Sequence, residues 1–366
     1  MSKVLISGYY GFANAGDEAM LSAIILALKA KHADMEIVVI SGDAEATASV
    51  YGIRAIPRFD ATSIFNELRS CDLLISGGGS LLQDITSRRS LLYYLSIIQL
   101  ARLMGKKVML YGHGIGPLNG RFARMLTGFV CRQVSCISVR DNGSAVELQD
   151  LGVDSENIAV TADPVFAMSP VDKEVGKQIL ARYGFFGEKF TIGISVRPWK
   201  ELKDYKRVLA EVADMAVEKY NARILFLPLH NPQDAKVSRE IVSMMRNRQE
   251  CLVLETACST TDFLSITGNM DLLIGVRLHA LVFAAVMQVP IIGISYDPKI
   301  DRFLEGIQAK AVACMRTLTQ DILAEKVSLV IDNLEKEKAT QSACVDKLRL
   351  AAEDNASMAV ELLLKK

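Results

Sequence analysis

The feature that most constrains this chain is a repeated alternation of short, continuous apolar runs with amphipathic helical stretches. In the first half the β-rich runs cover residues 4–7, 36–41, 73–76, 107–111, 136–139 and 158–161, with helical patterns at 17–31, 89–104 and 121–134. Strands that stay apolar without alternating must be buried on both faces, which predicts a parallel sheet covered by helices. The pattern restarts after Asp163-Pro164, with strand candidates at 191–196, 223–228, 251–254, 272–275 and 290–295. The predicted boundary lies within 165–172, giving an N-terminal domain of 1–168 and a C-terminal domain of 169–366. The second ends in a charge-laced helical tail from Thr319 that lacks proline and glycine. The halves also echo each other: Asp72-Leu73-Leu74-Ile75 and Asp271-Leu272-Leu273-Ile274 each lead into a glycine and then a helix. The expected fold class is therefore α/β, two doubly wound Rossmann-like domains facing across a cleft.

Composition narrows the function classes. The 366 residues carry 42 basic and 42 acidic side chains, which argues against a generic nucleic-acid binder. The 7 cysteines include no C-x-x-C pair, and several lie in apolar stretches, as expected of buried free thiols in a reducing compartment. Met1-Ser2-Lys3 runs directly into an apolar strand rather than a cleavable segment, and the apolar stretch 91–104 is too short to span a bilayer. These features predict a cytoplasmic protein. The zero net charge hides an asymmetry: residues 85–140 contain no acid, but carry Arg88, Arg89, Arg102, Lys106, Lys107, Arg121, Arg124, Arg132 and Arg140. A basic, apolar window suits an anionic membrane surface, at about 1 kcal/mol per basic residue near it.

Three glycine-rich loops follow first-half strands, namely residues 8–18, 77–80 and 112–117. None is a dinucleotide fingerprint, because Leu82 and Pro117 stand where the last glycine is needed, and no G-K-[ST] exists for a nucleotide triphosphate. Asp17 and Glu18 open a helix after Gly16. Glu18 reads as a helix-end charge, whereas Asp17 at the loop–helix junction could orient or deprotonate a hydroxyl. In the second half, Arg277 and His279 follow an apolar strand and precede a helix, which is an anion site built from a guanidinium fork, an imidazole and a helix N-terminus. The one carboxylate close in sequence to pair with Arg277 is Asp271. Arg140 and Arg197 also end strands and could face the same cleft. Lys299 could add a point charge.

Together these residues resemble the polysaccharide pyruvyltransferase family, particularly members that modify bacterial secondary cell-wall polysaccharide. The resemblance rests on Gly8-Tyr9-Tyr10-Gly11-Phe12 with Asn14, Gly16, Asp17 and Glu18, on Ser76-Gly77-Gly78-Gly79-Ser80, on residues 112–117 and on Arg277-Leu278-His279. His113 departs from the glutamine more usual there. The resemblance implies a GT-B-like fold and transfer of pyruvate from phosphoenolpyruvate to a sugar as a cyclic ketal. In wall-polysaccharide members the acceptor is a β-linked N-acetylmannosamine of a lipid-linked precursor, modified at its 4- and 6-hydroxyls, and the ketal then anchors surface-layer proteins. Asp17, Arg140, Arg277, His279 and Lys299 match functional positions of the family.

Phosphoenolpyruvate carries a phosphate and a carboxylate on three carbons, so its pocket needs several cations. Arg277, His279, Lys299 and Arg140 are the expected donor-binding residues, with His279 also the candidate general acid. Asp17 is the candidate base, and Tyr10, Phe12, Asn14, Asp17, Gly78 and Gly79 are the expected acceptor side. No step calls for a metal or cofactor, and four scattered histidines offer no evident metal site. The main rival is a glycosyltransferase or epimerase of the same fold using a UDP-sugar. A non-catalytic glycan-binding module fits poorly with one tryptophan, Trp199, and cations at strand ends.

Overall fold

The computed structural model describes residues 2–85, 87–185, 187–199 and 204–365. The chain divides into two compact units, residues 1–168 with 347–366, and residues 169–346. The strands of the first unit are Lys3–Ser7 (β1), Glu36–Ser41 (β2), Arg54–Pro57 (β3), Leu73–Ser76 (β4), Gly79–Leu82 (β5), Lys107–Ile115 (β6), Cys136–Val139 (β7) and Ile158–Val160 (β8). Its helices are Ala15–Lys31 (α1), Ala44–Tyr51 (α2), Ala61–Ser70 (α3), Arg88–Leu103 (α4), Arg121–Cys131 (α5) and Asn142–Asp150 (α6). All strand pairs are parallel, in the order β3-β2-β1-β4-β6-β7-β8, with β5 paired to β6.

The apolar runs are continuous because this sheet has a core on each face. Leu5, Leu74, Val108 and Leu110 enter one core with Leu91, Tyr94 and Leu95 of α4. Their neighbours Val4, Ile6, Leu73, Ile75 and Met109 enter the other with Leu21, Ile24 and Leu28 of α1.

The second unit contains Thr191–Ser195 (β9), Arg223–Phe226 (β10), Cys251–Val253 (β11), Leu272–Gly275 (β12) and Ile291–Gly293 (β13). Its helices are Glu174–Ala181 (α7), Asp204–Tyr220 (α8), Gln233–Met244 (α9), Thr260–Thr267 (α10), Leu278–Val286 (α11), Pro298–Gly306 (α12) and Gln320–Asp332 (α13), followed by Leu334–Leu364 (α14). The strand order β11-β10-β9-β12-β13 is again parallel. It repeats the β3-β2-β1-β4-β6 order of the first unit. The two echoing sequences, β4 and β12, therefore occupy equivalent places in their sheets.

The tail corrects the sequence-based division. Residues 347–366 belong to the first unit, where Ala356 and Ala359 are buried among β-strand residues. Asn355 pins this segment: Ser138 Oγ and Thr161 Oγ1 donate to its Oδ1 at 2.6 and 2.8 Å, and its Nδ2 donates to the Ala162 carbonyl at 3.2 Å. Two short strands, β3 and β5, were not anticipated. β3 has only four residues bounded by Arg54 and Pro57, and β5 begins inside a glycine loop. Leu74 is fully buried in the helix-covered core. Leu74→Ala is expected to cost about 2–5 kcal/mol through lost burial and a residual cavity, read as a lower urea midpoint.

Candidate active site

Parallel strands deliver every strand-to-helix loop to one edge of a sheet, so in each unit the candidate residues collect at the carboxyl ends. In the first unit the 8–18 loop is drawn tight by Glu18. Its Oε1 accepts from the Gly11 N–H at 2.8 Å, and Tyr51 Oη donates to its Oε2 at 3.2 Å. Burial pushes the Glu18 carboxyl up, opposed by these hydrogen bonds. Glu18 is therefore a loop staple rather than a simple helix-end charge. Gly11 has φ +76°, and a Cβ there would run into Ser41 Oγ and the Asp43 N–H, so the close approach requires glycine. Asn14 is the N-cap of α1, its Oδ1 accepting from Gly16 N at 3.2 Å.

The expected acceptor residues divide on burial. Tyr10 is fully buried, and a Cβ on Gly8 or Gly77 would collide with its ring or hydroxyl. Gly78 is buried against Met20 and Pro164. Tyr10, Asn14 and Gly78 thus pack and cap the loops on the side where acceptor contact was expected. Asp17 is half-buried in the first turn of α1, and a Cβ on Gly79 would stand 3.5 Å from its Oδ1, so the first two glycine loops meet at this carboxylate. Phe12 is half-buried and stacks on Tyr9 with centroids 4.2 Å apart.

Arg140 joins the other loops. It lies 3.0 Å from Asp163 and 3.7 Å from Asp141, and donates to Ser80 Oγ at 3.0 Å. A Cβ on Gly114 would come within 2.8 Å of both its Nη2 and Ser80 Oγ. At 5% exposure and with two carboxylates beside it, Arg140 joins the loops at the sheet edge where it was expected among the donor-binding cations. His113 is fully buried, with Nδ1 3.0 Å from the Gly114 carbonyl and Nε2 without a partner among the described residues.

In the second unit, Arg277 is the N-cap residue of α11 and His279 stands in that helix's first turn, half-buried, not ahead of the helix as expected. The carboxylate that pairs with Arg277 is Asp234 of α9, 43 positions away. Asp271 instead accepts from Thr191 N at 2.8 Å. Asp234 is completely buried and also accepts from the His230 N–H at 3.0 Å. It thereby orients Arg277, whose Nε has no partner among the described residues.

Burial pulls the His230 imidazole down, with Arg277 and Arg197 adding to the effect and Asp234 opposing it. Arg197, after β9, donates to Tyr296 Oη at 2.5 Å and lies 4.7 Å from that ring's centroid. Lys299, in the first turn of α12, is 3.5 Å from Asp297 and 5.7 Å from the same ring. Arg197, His230, Arg277 and Lys299 thus come from four different strand ends. His230 and Asp234 were missed in the sequence, although the rule that singled out Arg277 applies equally to the loop after β10. Among the described residues no group of three or more His, Cys, Asp or Glu converges to hold a metal ion.

The sequence profile described as polysaccharide pyruvyl transferase matches residues 14–298, from the α1 cap through the start of α12. The chain belongs to this family. A relative, the amylovoran biosynthesis protein AmsJ of Erwinia amylovora, is 21% identical over 311 residues, covering 81% of this chain and 74% of AmsJ. Among solved structures, S. aureus MnaA with UDP superposes with a TM-score of 0.71 at 14% identity, covering 100% of this chain and 99% of that one. UDP-GlcNAc 2-epimerase from Neisseria meningitidis bound to UDP-GlcNAc gives 0.68 at 14% identity, with both chains covered completely. Anabaena HepE with UDP and glucose gives 0.63 at 12% identity, with 99% of each chain covered. At these identities the likeness is one of fold: two Rossmann-like α/β units of the GT-B type. The UDP-sugar alternative shares the architecture and nothing more specific.

For this pyruvyl transferase family member, the departure at His113 has a measurable consequence. Burial pulls its imidazole from 6.5 down to about 4, with the Gly114 carbonyl opposing and Arg140 adding to the fall. Between these values the unfolded chain takes up a proton that the folded chain refuses, so this residue lowers stability as pH drops from about 6.5 towards 4. His113→Gln removes that loss. Urea midpoints measured at about pH 7 and pH 4.5 are expected to lie closer together in the variant than in the wild type.

Proposed function

We propose that the enzyme transfers pyruvate from phosphoenolpyruvate to a saccharide as a cyclic ketal and releases phosphate. The observation that carries this reading is the set of cations at the strand ends of the second unit, where Arg197 has no carboxylate partner among the described residues and Arg277 keeps an unpartnered Nε. A small donor bearing both a phosphate and a carboxylate suits such a surface.

In the proposed reaction the donor's methylene carbon takes a proton, and one sugar hydroxyl adds to C2. The C2–O bond to phosphate breaks, and a second hydroxyl of the same sugar closes the ketal. Of the two hydroxyl protons released, one balances the proton gained by carbon and the other leaves with phosphate. Arg277, Arg197 and Lys299 hold the donor's anionic groups, His279 protonates the donor or its departing phosphate, and Asp17 takes a hydroxyl proton. The proposed acceptor is the 4,6-diol of a β-N-acetylmannosamine in a lipid-linked wall precursor, making a ketal that surface-layer proteins bind.

Arg277→Ala would strand the buried Asp234 carboxylate, so Arg277→Lys is the cleaner variant. It is expected to fold and to raise the phosphoenolpyruvate KM by roughly tenfold or more through loss of the guanidinium fork. Asp17→Asn should instead lower kcat roughly a hundredfold with donor KM unchanged. Incubation with phosphoenolpyruvate and a synthetic disaccharide acceptor, followed by phosphate release and a pyruvate-sized mass gain, tests the reaction itself. Absence of both products, or Asp17→Asn turnover at the wild-type level, overturns the corresponding assignment.

We also propose that the acid-free window meets an anionic membrane. No helix among the described residues is long and apolar enough to cross one. However, Phe122, Met125 and Phe129 form one exposed α5 stripe at 62, 64 and 49% exposure, and α5 packs beside α4. Arg121 in the first turn of α5 and Arg88 and Arg89 at the start of α4 are exposed. Other cations of the window are engaged elsewhere. Lys106 donates to the Arg69 carbonyl, Lys107 to that of Leu362, Arg102 to Gln133, and Arg124 to Glu147. Contact therefore rests on fewer charges and more apolar surface than the raw count indicates. Replacing Phe122, Met125 and Phe129 together with serine is expected to abolish sedimentation with anionic vesicles while leaving turnover on a soluble acceptor intact. Unchanged sedimentation removes the α5 stripe from membrane contact.

A further inference from the structure

One guanidinium in the first unit has no role in the reading so far. Arg58 follows β3, at the same sheet edge as the 8–18 loop. Its backbone is fixed on both sides: its N–H donates to the Ser41 carbonyl at 2.9 Å, and its carbonyl accepts from Tyr93 Oη at 2.8 Å. Its guanidinium carbon lies 5.1, 4.9 and 4.6 Å from the ring centroids of Phe12, Phe59 and Tyr93. Gly42 makes room for this cage, since a Cβ there would press into the Phe12 ring.

The rings hold the guanidinium in place without neutralising it. Arg58 makes no ion pair with a carboxylate among the described residues, and its buried Nε has no hydrogen-bond partner. Arg140 in the same unit is the contrast, being matched by Asp141 and Asp163. The cage is also close to the proposed acceptor base. Tyr9 stacks on Phe12, and its hydroxyl feels both Asp17 and Arg58. Phe59, on the outer side of the cage, is 81% exposed.

We propose that Arg58 is an anion clamp for the acceptor, binding a phosphoryl or carboxylate group carried by the saccharide beyond the sugar that is modified. A guanidinium pre-oriented by aromatic faces loses little freedom when it binds, and its planar fork matches the two oxygens of either group. This inference rests on the reading that the first unit holds the acceptor. It adds that the acceptor carries an anionic group and that a first-unit guanidinium reads it.

The test uses the full-length enzyme, phosphoenolpyruvate and three acceptors built on one disaccharide: a neutral alkyl glycoside, the same disaccharide on an alkyl diphosphate, and a neutral glycoside whose second sugar is a uronate. Wild-type KM is expected to be roughly tenfold or more lower for at least one anionic acceptor than for the neutral one. An advantage in the diphosphate arm assigns the clamp to a phosphoryl linkage, and one in the uronate arm assigns it to a sugar carboxylate. Arg58→Gln should bring the favoured acceptor to the neutral level while leaving the neutral acceptor's KM and kcat and the phosphoenolpyruvate KM as in wild type. Arg58→Lys, which keeps the charge and loses the fork, should fall between.

Equal KM for all three acceptors in the wild type overturns the inference, as does an anionic advantage that survives Arg58→Gln. Calorimetric titration of the same three compounds into donor-free protein applies the same criteria to binding alone. If no acceptor gains pyruvate, the proposed reaction fails, and the titration still decides on the clamp.

Discussion

The organisation of this protein depends on all its strands being parallel. A parallel pair cannot be joined by a tight turn, so each crossover carries a helix and each strand-to-helix loop returns to the same edge. That edge receives the three glycine loops, Asp17, Arg58 and Arg140 in one unit, and Arg197, His230, Arg277, His279 and Lys299 in the other. The same parallel pairing demands helices on both faces. Residues as close as Leu73 and Leu74 therefore enter different cores, and the strands cannot display the alternation of a half-exposed sheet.

Charge compensation sorts the cations at these edges by role. Arg140 sits with Asp141 and Asp163 and bonds Ser80, tying β7 to the second and third glycine loops. Arg277 is intermediate, since Asp234 takes one end of its guanidinium while its Nε has no partner among the described residues. Among the described residues, Arg58 and Arg197 are held by aromatic rings instead of carboxylates. Rings position a guanidinium while leaving its charge available, whereas a buried carboxylate does both the positioning and the neutralising. The uncompensated cations are consequently the ones with most to gain from an anionic ligand. They occur in both units, as expected if donor and acceptor each carry negative charge.

The glycine loops work chiefly by close approach. Gly77 admits the Tyr10 hydroxyl, Gly11 admits Ser41, and Gly114 admits Arg140 and Ser80. The buried residues of this unit, Tyr10 and His113 among them, act as the scaffold against which half-buried Asp17 and Phe12 are presented. Conspicuous motif residues therefore include both the support and the groups it presents.

Strand positions, the α/β class and the placing of residues 8–18 and 277–279 directly after strands were legible in the sequence. Each depends on local periodicity, or on a residue's place directly after a strand. The pairing of Arg277 with Asp234, the caging of Arg58 by Phe12, Phe59 and Tyr93, and the docking of Asn355 into the first unit were not legible. Apart from the neighbouring Phe59, each joins residues dozens to hundreds of positions apart. The sequence by itself determined that strands would be buried on both faces and would end in polar loops, because burial is written in the order of apolar residues along the chain. Only the tertiary structure decided which cations meet carboxylates and which meet rings, because that depends on which strand ends the sheet order makes neighbours.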